Sequence, residues 1–352
     1  MPFVCVFAFR DLHNIDGVLG LFARNAIGNF RYRHLSGMLV LLAESPHISR
    51  TFNLDPNYRM DPSMPTSFRQ IINRAVKDKR LLVVPGAHDA LSARLIQNIG
   101  FETYFIGGFP AVGARYGAPD VGLMGFGEIS AAVRDIMSAC DLPVFVDGDD
   151  GYGDVKNVVH TVQAYERMGV SAILIEDQQW PKRCGHMVGK KVVATELAEA
   201  KIRAACSERL NPETWILART DACAVYDIDE AMRRAERYIR AGADGIFIEA
   251  PRSIDELKRI GRAFDVPQIC NPLMGGHTPI LSMEELGELG FNCAVLGLDT
   301  LMHAAKAIEA VLIDMKSGKF ARRNDGMDFE DYKKLVGYDK WESVDERFAP
   351  RQ

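Results

Sequence analysis

From about residue 66 onward the chain alternates, eight times over, a short apolar run with a longer amphipathic stretch. Runs of four or five residues rich in Val, Ile, Leu and Phe have the length of buried strands. The stretches between them carry apolar residues at helical spacing. The strands are expected at 81–85, 103–106, 143–146, 172–175, 215–218, 245–248, 267–270 and 293–296. The helices are expected at 90–99, 128–139, 155–168, 195–209, 229–241, 254–264, 283–289 and 300–316. Gly100, Gly169, Gly242 and Gly290 follow four of these stretches, where a left-handed residue commonly stops a helix. Eight such units in about 240 residues fit a (β/α)8 barrel of the TIM type. A doubly wound sheet would more often show about five or six strands and a glycine-rich phosphate turn.

That architecture makes a second expectation. Active sites of such barrels lie at the C-terminal ends of the strands. Read in order, those ends are Gly107-Gly108, Asp147-Gly148-Asp149, Glu176-Asp177, Arg219-Thr220-Asp221, Glu249 and Asn271. Polar groups thus gather on one rim. Asp147 and Asp149 alternate, so in a regular strand one faces the site while the other braces it. Where the strand ends, both can reach over the rim. With Glu176 they offer hard oxygen ligands, and few protein ligands plus several waters is the habit of Mg2+. Such an ion binds a 2-hydroxy or 2-keto acid and stabilises an alkoxide or enolate. The alternative is a set of solvated strand-end carboxylates.

After the fourth strand comes Lys182-Arg183-Cys184-Gly185-His186. A thiol between two cations and a histidine is expected to have its thiolate stabilised. Cys184 is therefore read as a nucleophile or proton-transfer group. Arg219 can fork onto a substrate carboxylate or pair with a neighbouring acid. His186 can donate to a substrate oxygen or cap loop backbone. Gly151, Gly153, Gly185 and Gly189 fit loops that close over a ligand, and equally ordinary turns.

Composition bounds the classes. With a net charge of −5 and no basic run, nothing points to nucleic acid. No apolar run approaches the ~18 residues of a membrane span. Seven scattered cysteines without a CxxC pair argue against zinc and for a reducing, cytoplasmic compartment. Residues 1–65 form an extension without the strand–helix rhythm. It reads as an unordered tail, as sequence upstream of a start at Met60 or Met64, or as an organellar targeting segment. Residues 66–318 form the barrel. Residues 319–352, with Phe329, Tyr332, Leu335, Val336, Tyr338 and Trp341, are expected to be helices that pack on the barrel or on a neighbouring subunit.

Taken together these motifs resemble the isocitrate lyase / phosphoenolpyruvate mutase superfamily. So do Pro85-Gly86-Ala87-His88-Asp89 and Pro119-Asp120, and the likeness runs from about residue 66 to about 348. The resemblance implies a Mg2+ (or Mn2+) enzyme acting on a small di- or tricarboxylate, and a homotetramer in which the eighth helix is exchanged between subunits. It implies Asp149 as the direct metal ligand, with Asp147 and Glu176 acting mainly through water. Cys184, His186 and Arg219 are then catalytic, and Gly107, Gly108, Asp120, Gly185, Glu249 and Asn271 surround the substrate. The cysteine marks the carbon–carbon lyases.

Residues 179–190 look most like dimethylmalate-lyase and petal-death-type enzymes. Methylisocitrate lyases tend to place an arginine where Met187 stands, and a dianionic leaving group would need that cation. The expected reaction is cleavage of a substituted malate into a 2-keto acid such as pyruvate and a carboxylate, with Cys184 protonating the enolate. The alternatives are oxaloacetate hydrolysis or decarboxylation, methylisocitrate cleavage, a phosphonate mutase, or a barrel that binds without catalysing. Departures from the family pattern are Gly107 in place of Ser or Thr, Pro272-Leu273-Met274 after Asn271, and His277, Asp150 and His88.

Overall fold

The computed structural model describes residues 67–350 in full, with the backbone of three strands nearer the N-terminus. Those strands, β1 (Val4–Phe7), β2 (Phe30–Leu35) and β3 (Met38–Ala43), form an antiparallel sheet in the order β1-β3-β2. They belong to a unit, Met1–Leu54, distinct from Asp55–Gln352. The remainder of 1–65, and with it the questions of targeting and of the starting methionine, lies outside the described residues.

The larger unit is a (β/α)8 barrel. Its strands are β4 (Leu82–Pro85), β5 (Tyr104–Ile106), β6 (Val144–Asp147), β7 (Ala172–Glu176), β8 (Trp215–Thr220), β9 (Gly245–Ile248), β10 (Gln268–Cys270) and β11 (Cys293–Leu296). They pair in parallel in the order β4-β11-β10-β9-β8-β7-β6-β5. A single bridge, Gly86 to Phe105, joins the two ends, and the Ala87 N–H donates to the Phe105 carbonyl at 2.8 Å. All eight expected strands form, with ends shifted by at most two residues.

Side-chain alternation divides each strand between two cores. Leu82, Val84, Phe105, Phe145, Leu174, Trp215, Leu217, Phe247, Ile269 and Val295 fill the barrel interior. Val146, Ile173, Ile175, Ile216, Ala218 and Ile246 face the surrounding helices. A helix absent from the sequence reading, α1 (Phe68–Lys77), closes the lower mouth. Its Phe68 ring sits 5.2 Å from that of Phe145 and 5.1 Å from that of Trp215. Ser67 caps it by accepting from the Gln70 N–H.

The eight expected helices also form. Two more are added at the rim, Gly108–Tyr116 and the short Ala222–Val225. Gly100 and Gly290 end their helices at φ +94° and +105°, and Gly169 and Gly242 follow theirs at +90° and +105°. The eighth barrel helix, Asp299–Lys316, has no buried residue; Ile308, Leu312 and Ile313 are each more than half exposed. The chain ends in helices Phe329–Leu335 and Tyr338–Phe348. The first packs on helix Ala90–Ile99 and buries Leu335. Among the described residues no helix is long and apolar enough to cross a membrane.

Candidate active site

The same alternation that fills the barrel builds its upper layer. Counting by twos, Phe145 leads to Asp147, Leu174 to Glu176, Leu217 to Arg219, Phe247 to Glu249 and Ile269 to Asn271. Each of these five strands thus ends its inward series on a polar side chain. These polar residues, with Gly107, Gly108, Asp120, Lys182, Cys184, Gly185 and His186, line one cavity at the strands' C-terminal ends. The apolar part of the wall includes Phe109, Pro110, Leu273 and Leu298 above the inward-facing Phe105, Phe145, Leu174, Phe247 and Val295.

The acids are crowded and dry. β6 stops at Asp147, whose Oδ1 accepts from the Asp149 N–H at 3.0 Å. Gly148 is needed here because a Cβ would press on the Leu174 carbonyl at 2.7 Å. Asp149 then turns back at φ +47°, an uncommon conformation for a residue with a side chain. Both acids therefore reach the rim, Asp147 on the cavity surface and Asp149 packed beneath it, only 2 % exposed. Burial holds the carboxyls of Asp147, Asp149 and Glu176 above their usual range, and the neighbouring negative charges add to it. Glu176 Oε1 is buried without a partner.

Four cations or cation-like groups answer them. Lys182, buried, lies 2.6 Å from Asp120 and 2.7 Å from Asp149. Arg219 forks onto Asp221, Nε to Oδ2 at 3.0 Å and Nη2 to Oδ1 at 3.1 Å. Its Nη2 also faces Glu176 at 3.4 Å and Glu249 at 3.3 Å. The fork expected for a substrate carboxylate is thus taken up by the chain's own acid. Lys190 pairs with Asp221 at 2.6 Å. His186 places Nε2 3.3 Å from Glu249 and 3.4 Å from Asn271 Nδ2, while its Nδ1 accepts from the His277 N–H at 3.1 Å. That acceptor role leaves the proton on Nε2, directed at Glu249. Burial pushes the Glu249 carboxyl up, but Arg219 and His186 outweigh it and bring it to about 2.

Cys184 departs from expectation. Burial pushes its thiol above the ordinary value, more than the His186 backbone N–H lowers it. The two flanking cations do not attend it: Lys182 turns to Asp120 and Asp149, and Arg183 is exposed. The group is therefore a neutral thiol, suited to giving a proton rather than to attacking.

The departures have local causes. A Cβ at Gly107 would lie 2.9 Å from the Phe105 ring and 3.2 Å from Pro110, so those side chains fill the space of a serine there. Asp150 is buried and paired with Lys201 at 3.1 Å. His88 bonds Thr300 Oγ1 at 3.0 Å, away from the cavity.

Sequence reading missed the hubs. Asp177, one residue past Glu176, accepts from Thr220, the Asp221 N–H, Arg234 and Tyr238. Its phase, opposite to that of Glu176, was the available signal that it braces the site from outside. Lys182 was read only as a flanking charge.

The residues fit a Mg2+ ion. Among the described residues no three His, Cys, Asp or Glu side chains form a ready-made cage. That is compatible with an ion held by one or two carboxylates and water. The unpartnered Glu176 oxygen, and carboxyls that burial keeps from ionising, are groups whose charged form a divalent ion would stabilise.

Residues 73–316 match the phosphoenolpyruvate phosphomutase family model. The chain belongs to the PEP mutase/isocitrate lyase superfamily. Its relatives there are enzymes, lyases and mutases. It is 38% identical to 2,3-dimethylmalate lyase of Eubacterium barkeri over 77% of this chain and 94% of that one. Among solved structures it is similar to oxaloacetate acetylhydrolase bound to 3,3-difluorooxalacetate, with a TM-score of 0.75 and 29% identity over 80% of this chain and 97% of the other. It is also similar to phosphonopyruvate hydrolase in complex with oxalate and Mg2+, with a TM-score of 0.71 and 27% identity over 80% and 99%.

Proposed function

We propose that this superfamily member is a Mg2+-dependent carbon–carbon lyase that cleaves a substituted malate, dimethylmalate-like, into a 2-keto acid such as pyruvate and a carboxylate. The observation that carries the reading is a neutral, half-buried thiol at Cys184 in the same cavity as Asp147, Glu176 and Arg219. Relatives bearing the lyase and hydrolase names above support it. Asp149, with Asp147 and Glu176, would hold the ion, which supplies a Lewis acid for the 2-hydroxyl and its carboxylate.

The chain's own residues do the rest. The backbone N–H groups at Gly107 and Gly108, at a helix N-terminus without a side-chain cap, receive a carboxylate. The hydroxyl proton passes to a nearby carboxylate, the C2–C3 bond breaks and its electron pair forms an enolate. Cys184 gives its proton to the enolate carbon. Arg219, Asn271 and His186 meet the negative charge on the enolate oxygens. Leu273 and Leu298 offer apolar surface on the cavity wall, and Met187, on the loop, stands where methylisocitrate lyases tend to place an arginine. That favours a fragment with an alkyl group over one with a second carboxylate.

The reading is tested by keto-acid release, with and without Mg2+, from substituted malates, citramalates and methylisocitrate. Turnover of methylisocitrate above all the malates would reject it. Oxaloacetate is included because the likeness to oxaloacetate acetylhydrolase favours a second reading, and rapid oxalate or pyruvate formation would establish that one instead. We further propose that the bare eighth helix is covered in a homotetramer by exchange between subunits.

A further inference from the structure

We propose that Lys190 is the latch of the loop that carries Cys184, a positioning residue that holds this loop shut and, through Asp221, holds Arg219 beneath it. The inference rests on the reading of the cavity as the reaction site.

The loop leaves β7 and returns through a zipped stem. Gln179 N–H donates to Lys191 O at 2.8 Å, Val193 N–H donates to Asp177 O at 2.9 Å, and Gln178 bridges Val192. Beyond the stem the tip has little apolar anchorage: Met187 is 39 % exposed and Val188 80 %. Its contact with the barrel is polar. Gly185 lies so close to Arg219 and Glu249 that any Cβ would collide with both side chains. Something must hold that backbone down on charged groups.

Lys190, at the foot of the tip, points inward, and its side chain and that of Asp221 are 2 % and 0 % exposed. The ammonium donates to the Gly185 carbonyl and to Asp221 Oδ1. The same Asp221 oxygens receive the Arg219 fork. One cation therefore ties three parts together: the tip of the loop, the carboxylate after β8, and, through that carboxylate, the guanidinium facing Glu176 and Glu249. Lifting the loop would strip Lys190 of Gly185 and leave Asp221 and the ammonium exposed to rearrangement. Lys191, the next residue, is exposed and shares none of these contacts with the site. A buried ion pair that loses one partner is strongly destabilised, so the closed loop and the seated guanidinium stand or fall together.

The test uses the whole chain without substrate. Cys184 is alkylated with iodoacetamide and followed by peptide mass spectrometry. Lys190→Met, which keeps the stem and removes the charge, is expected to alkylate at least about tenfold faster, because the loop opens. With an active substrate its kcat should fall about 100-fold while KM changes by less than about threefold, as for a misplaced rather than missing group. Lys190→Arg should recover part of that loss. A folded Lys190→Met protein with the wild-type alkylation rate overturns the latch. Faster alkylation in a protein whose wild type turns over none of the acids would leave the latch standing and reject the proposed reaction. Should Lys190→Met not fold, acetylation of the wild type decides: Lys191 should label at least about tenfold faster than Lys190, and equal rates overturn the proposal.

Discussion

The chemistry of the cavity turns on protonation states that burial sets against local charge. Cys184 directly follows two cations in sequence, yet Lys182 turns to Asp120 and Asp149 and Arg183 is exposed. Neighbours along a loop point in different directions, so the flanking charges could not reveal that the thiol stays neutral. As the proton donor, its removal should leave binding intact. Cys184→Ala is expected to lower kcat by about 100- to 10,000-fold with KM within a few-fold, measured by steady-state keto-acid release. Unchanged turnover would remove Cys184 from the mechanism. The carboxylates make the complementary case. Asp147, Asp149 and Glu176 resist ionising in the folded protein, so a bound cation should stabilise it. Mg2+ at about 100 times its Kd should add about 2.7 kcal/mol, seen as a rise in Tm that EDTA reverses. Asp149→Ala should abolish the rise, and a Tm indifferent to Mg2+ in the wild type would contradict the metal assignment.

The strands were legible because their pattern carries two signals at once, apolar content and an alternation that ends on a polar residue. The strand ends placed Asp147, Glu176, Arg219, Glu249 and Asn271 on one rim, and the alternation then separates them from Asp177, which braces the site from outside. The helix Phe68–Lys77 was not legible: its Arg69, Arg74 and Lys77 mask the buried Phe68, Ile71, Ile72 and Ala75, and the strand–helix alternation begins only after it. The helix Gly108–Tyr116 was hidden by its own glycines and proline. Where elements meet closely, glycine decides. A Cβ at Gly86, just past β4, would run into the Gly297 backbone beyond β11. Gly86→Ala should therefore cost about 1–3 kcal/mol, read from the urea midpoint. A midpoint equal to the wild type's would show that the strand ends can part without penalty.

At the scale of the molecule, the helix Asp299–Lys316 is the element that the barrel leaves bare. Ile308, Leu312 and Ile313 present apolar side chains that a single chain does not bury. Sequence periodicity could show that the helix exists but not which chain it covers, since its pattern is satisfied equally by its own barrel or a neighbour's. If exchange covers it, light scattering should find a mass about four times 39.1 kDa. Leu312→Glu should shift that mass downward, and a wild-type monomer at micromolar concentration would rule the assembly out.

Seven of the eight joints around the barrel are continuous ladders, and the eighth is the lone bridge between Gly86 and Phe105, made in part by the Ala87 N–H. In the language of hydrogen exchange, the sheet is a ribbon fastened by a clasp. The clasp lies two residues from Gly107, where the substrate's carboxylate is expected to rest. A ligand bound there would brace the barrel at its thinnest seam. The Ala87 amide should then exchange with deuterium more slowly when oxalate and Mg2+ are present, and an unaltered rate would place the carboxylate elsewhere.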